Sequence, residues 1–98
     1  MKPISTKRKG EIEAFSAAVR AAGEHLAPRA KDAERIRLLA RELQAGTPAV
    51  KKWWYAQNAP RGAAAVAILR ELDFVGGGVI DANEIFEAYV TYASNKRM

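Results

Sequence analysis

Apolar residues in this chain return every three or four positions, with no alternating run of β-branched residues, and that spacing removes most folds. Ile12, Phe15, Val19, Ala22 and Leu26 form one such series, and Ile36, Leu39, Ala40 and Leu43 form another at i, i+3, i+4 and i+7. Without β-branched alternation there is no basis for a sheet, and the expected class is all-α: a compact bundle of about five helices. The breaks are set by Gly and Pro. Residues 1–9, ending in Lys7-Arg8-Lys9, are expected to be a flexible basic arm, and residues 10–98 a single helical domain. The first helix is expected over residues 10–26, with Pro28 as a break and Asp32 as the cap of the second helix. Ala45-Gly46 ends that helix, with the glycine suited to a left-handed turn. Thr47 then offers an N-cap and Pro48 a first helical residue, whose missing N–H costs nothing there. This third helix is expected to reach Gln57, where residues 58–62 close it. A fourth covers residues 63–72, and Gly76-Gly77-Gly78 forces a loop. A C-terminal helix is expected over residues 81–96, with Asp81 and Glu84 as a capping box and Lys96 and Arg97 at its negative end.

Charge divides unevenly along the chain. The net +5 is made of +2 over residues 1–28, +5 over residues 29–61 and −2 over residues 62–98. A basic middle beside a mildly acidic end gives a one-sided field, which speeds association with polyanions. The plainer reading is that Arg35, Arg37 and Arg41 solvate one helix. There is no cysteine, which excludes disulfides, thiolate nucleophiles and cysteine-ligated zinc and fits a reducing compartment. No apolar run approaches the ~20 residues that span a bilayer, and no signal-peptide core follows the N-terminal bases. The expectation is a cytoplasmic protein with no membrane partner.

The most informative stretch is residues 35–62, RIRLLARELQAGTPAVKKWWYAQNAPRG. Two short helices meet at a tight turn over residues 35–57, with Leu39, Ala40, Leu43, Val50 and Trp53 at the spacing of a helix-turn-helix. Ala40 is small where the second helix crosses it; Leu43, Val50 and Trp53 fill the wedge. The stretch resembles the helix-turn-helix of the phage-repressor (Cro/CI-like) family. The likeness continues through Asn58-Ala59-Pro60-Arg61-Gly62 into the alanine-rich helix, covering residues 35–72. It departs at Gln44, where that family has a turn glycine, and at Ala45, which is smaller than the usual apolar residue. The resemblance implies a sequence-specific DNA-binding regulator, a small repressor of phage, plasmid or similar bacterial type, with double-stranded DNA as its partner.

At 100° per residue, Val50, Trp53, Trp54 and Gln57 point to one side of the third helix and Pro48, Lys51, Lys52 and Tyr55 to the other. An apolar back and a front of bases and short residues suit a major groove ~12 Å wide. Thr47 at the helix start, with Asn58 and Arg61 just past its end, suits phosphates. The expected DNA-binding set is therefore Thr47, Pro48, Lys51, Lys52, Tyr55, Asn58 and Arg61. Adjacent Trp53 and Trp54 are expected to be one core and one half-buried residue.

Residues 73–84 weakly resemble a degenerate EF-hand loop, with flanking helices over residues 62–95. Asp73, Gly78, Ile80, Asp81 and Glu84 stand at the positions such a loop uses. Val75 and Gly77 stand where two oxygen ligands are needed, so neither calcium nor any other metal is expected. His25 has no cysteine beside it and no ligand spacing. Ser5, Ser16 and Ser94 have no base partner, and no phosphate-binding glycine motif occurs, so no enzyme, cofactor or small-molecule substrate is expected. The competing class is a non-catalytic protein-binding module or adaptor. A homodimer is expected through the last helix, with Ile85, Phe86, Tyr89 and Tyr92 at the interface, because that helix is apolar over more than one stripe.

Overall fold

A computed structural model describes residues 6–77, and among them the protein is a compact globule of four helices with no strand. They are α1 (Thr6–Leu26), α2 (Asp32–Leu43), α3 (Thr47–Trp54) and α4 (Gly62–Val75). The expected C-terminal helix and its interface residues lie outside the described residues, as does most of the EF-hand-like loop. α1 is the hub: it packs against each of the other three, and α2 also touches α3 and α4.

Most positions of the two apolar series read from the sequence lie in the core, joined there by residues of α3 and α4. Ile12, Phe15, Val19 and Ala22 of α1 are buried, with Ile36, Leu39 and Ala40 of α2, Val50, Trp53 and Trp54 of α3, and Ala65, Leu69 and Leu72 of α4. Leu43 is partly buried against them. Phe15 meets Trp53 edge to face, with ring centroids 5.5 Å apart and an interplanar angle of 84°, the geometry that sets a positive ring edge against a negative ring face. Trp54 departs from expectation: both tryptophans are buried. Gly23 is the reason. A β-carbon on Gly23 would lie 2.5 Å from Cζ3 of Trp54, so only the bare backbone of α1 leaves room for the indole.

The helix ends also differ from the sequence expectation. α1 begins at Thr6, taking the basic residues 7–9 into its first turn. Bases there oppose the helix dipole. Arg8 has compensating partners, donating to the carbonyl of Ala59 and, at 3.3 Å, to Oε2 of the buried Glu11. Asp32 and Thr47 do not cap their helices through side chains; Lys31 and Gly46 occupy those cap positions, without side-chain hydrogen bonds. Asp32 lies instead in the first turn of α2, 3.7 Å from Arg35. Arg35 fastens the α1–α2 connection, donating to the carbonyls of Ala27 and Pro28, each at 3.0 Å.

The left-handed turn falls on Gln44, with φ 52° and ψ 40°, and not on Gly46, whose φ of −70° suits any residue. α2 stops at Leu43, so the residue that must turn is the next one. There the Ala45 N–H reaches back to the Ala40 carbonyl at 2.9 Å, closing the helix as a Schellman-type turn does. α4 runs three residues past Leu72, to Val75.

Two outcomes follow. Gly23→Ala is expected to lower stability by about 1–3 kcal/mol, because the methyl meets a ring with nowhere to go. Trp53→Ala is expected to cost roughly 3–5 kcal/mol, as large aromatic truncations in a core do. Urea unfolding measures both; a shifted midpoint at unchanged slope marks a change in stability alone.

Candidate nucleic-acid interface

α3 is short, and its burial pattern divides it cleanly. Val50, Trp53 and Trp54 face the core; Thr47, Pro48, Lys51 and Lys52 are exposed, with Ala49 half-buried between them. Tyr55, just past the helix, is 51% exposed, enough to leave its ring and hydroxyl free for contact. In the following segment Ala59 is buried while Asn58 and Arg61 are exposed, so every residue assigned to the contact set from sequence lies at the surface.

The end of α3 is earlier than expected and carries strain. Ala56 has φ 55°, a left-handed conformation that costs a residue with a β-carbon about 1–2 kcal/mol. Its N–H bonds to the Trp53 carbonyl at 3.2 Å, and the Gln57 N–H to the Lys52 carbonyl at 2.9 Å. Gln57 therefore leaves the helix and is exposed, where helical periodicity places it on the core side. What holds the turn is a contact from α1. The hydroxyl of Ser16, itself buried, donates to the Trp54 carbonyl at 2.8 Å. The clue to this role is a polar residue inside the buried stripe of α1, beside Phe15 and Val19. Arg8, on the carbonyl of Ala59, holds the same segment farther along. Between these two bonds residues 54–59 are tied to α1, and they carry Tyr55, Gln57 and Asn58 with them.

The formal charges of this segment are of one sign. From Leu43 to Arg70 the chain contains no carboxylate. Lys51, Lys52 and Arg61 have no ion pair among the described residues, whereas Arg8, Arg35 and Arg37 each pair with a carboxylate. A cation with no internal partner keeps its charge available to a ligand. Among the described residues no group of three or more His, Asp or Glu side chains is placed to hold a metal ion, and no helix is long and apolar enough to cross a membrane. No protein-family model, no curated protein and no solved structure matches this chain.

Ala56→Gly is expected to raise stability by about 1 kcal/mol, since glycine takes the left-handed conformation without the β-carbon penalty. Ser16→Ala is expected to lower it by about 1–3 kcal/mol, leaving the Trp54 carbonyl without its buried donor. Thermal unfolding followed by circular dichroism checks both, and a destabilising Ala56→Gly would contradict the strain assigned to this turn.

Proposed function

We propose that this protein binds double-stranded DNA at selected sequences through α3, as a small helix-turn-helix regulator of the repressor type. The observation that carries the reading is the division of α3. Two tryptophans and a valine bury its inner side against α1 and α2, and its outer side presents Lys51 and Lys52, within a stretch from Leu43 to Arg70 that contains no carboxylate.

The α2–α3 junction supports the same reading. The left-handed residue of the turn is Gln44, the position where the phage-repressor family has its glycine. Ala40, where a helix-turn-helix needs a small residue, is buried. In this reading α3 enters the major groove. Lys51 and Lys52 neutralise phosphates as point charges, and Tyr55 or Lys51 meets base edges. Asn58 and Arg61 hold the backbone beside the groove, and Thr47 at the start of α3 meets a phosphate on the other side. Positioning contacts of this kind set register, and base contacts set sequence.

Selection from a pool of randomised duplexes, followed by fluorescence anisotropy on the winning sequence across a salt series, tests the proposal. Enrichment of a common sequence is expected. Lys51→Ala and Lys52→Ala should each weaken binding and reduce the salt slope by about one for every phosphate left without its lysine, with the helical circular dichroism signal unchanged. Binding with strong salt dependence and no enriched sequence would reduce the function to nonspecific affinity. If both lysines are replaced without effect on any duplex, α3 is not the contact element.

A further inference from the structure

At the far end of α4 the surface changes character. Phe74 is 87% exposed, the most exposed large apolar side chain among the described residues. With Leu43 and Val75, both half-buried, it lines a hollow where the end of α2 meets α4. A projecting phenyl ring and a partly apolar hollow therefore lie on one patch. The rim carries charges of both signs: Glu42, Arg70 and Glu71 are exposed, and none has an ion pair among the described residues.

We propose that this patch is the contact face of a two-fold dimer, and that its occupant is a second copy of this chain. A two-fold interface uses the same surface on both partners, so the surface must complement itself. This one does. Phe74 supplies the knob and the Leu43–Val75 hollow the hole, and a two-fold rotation sets Arg70 of one copy against Glu42 or Glu71 of the other. The two carboxylates make the patch a poor seat for a polyanion, so it does not compete with α3 for DNA. Aromatic residues with a charged rim are the usual make-up of an interface whose energy is concentrated near its centre. No residue of α3 belongs to the patch, so the dimer stands or falls independently of DNA binding.

Sedimentation equilibrium on the full chain without DNA, from low micromolar to millimolar concentration, provides the test. The wild-type chain is expected to dimerise reversibly. Phe74→Glu is expected to raise the dimer dissociation constant roughly 30-fold or more, as removal of a central aromatic anchor does. The side chain is exposed, so the helical signal should not change. Arg70→Glu should also weaken the dimer, and adding Glu42→Arg and Glu71→Arg to it should restore association. If Phe74→Glu fails to fold, the Arg70 series decides on its own. A monomeric mass for the wild type at every concentration overturns the proposal. So does a dimer that Phe74→Glu and Arg70→Glu leave intact, which would place the contact elsewhere. A monomeric wild type whose melting temperature drops in Phe74→Glu would mean that Phe74 packs against its own chain, and that result also overturns it.

Discussion

The structure depends on how the back of α3 seats on α1. Trp53 and Phe15 meet edge to face, and Trp54 lies over the bare backbone of Gly23. A helix of eight residues has little stability of its own, because nucleation is costly and few hydrogen bonds offset it. Burial has to hold it. Two indoles and Val50 supply that burial along one side, and Ser16 then takes up the carbonyl at the end of the helix. The orientation of α3, the exposure of its lysines and the course of residues 55–61 all follow from this seating. A change at Gly23 would be felt at Lys51 without touching it.

Charge counts along the chain separate less well than the geometry does. Residues 29–61 hold eight bases, yet these have different roles. Arg35 is a fastener, held by two carbonyls and Asp32, and Arg37 leans on Glu34 at 3.8 Å. Outside that segment Arg8 is likewise committed, to Glu11 and Ala59. What distinguishes Lys51, Lys52 and Arg61 is their place in a stretch of sequence without acids, from Leu43 to Arg70, not their number. Paired cations near a surface contribute little field at a distance, whereas unpaired ones in an acid-free stretch add up.

The helical class, the breaks between α1 and α4 and most core positions of α1, α2 and α3 are legible in the sequence, because period 3.6 and Gly/Pro punctuation are local signals. The outward set from Thr47 to Arg61 is legible for the same reason: Val50 and Trp53 define a back, and the rest is what remains. The departures share one cause. Sequence patterns point to Gly46 as the turn residue and Gln57 as a core residue because they assume that helices end where residues prefer them to end. Here Leu43 and Trp54 are the last residues their neighbours can use, and Gln44 and Ala56 turn left-handed at a cost their side chains do not announce. The sequence leaves one of the two adjacent tryptophans half-buried because the space that Trp54 fills is made by Gly23, thirty-one positions away. Such a pairing has no local trace.

Those two left-handed residues also bear on what α3 is suited to do. One lies shortly before α3 and one just after it, and each is closed by backbone bonds from the residues beside it. A glycine at either place would adopt the same turn with less strain, but it would also widen the range of backbone conformations open to the chain. A β-carbon in the left-handed region persists only where its surroundings over-determine it, and at Ala56 these are the tryptophan seat together with the Ser16 bond. The helix and its flanks are thus set before any partner arrives. In the proposed DNA-binding reading, binding loses little entropy in ordering them, and a helix of eight residues presents one arrangement to a groove instead of an average over several. In this chain the strain at Ala56 and the burial of two indoles are parts of one device: the second makes the first tolerable, and together they fix the end of a short helix.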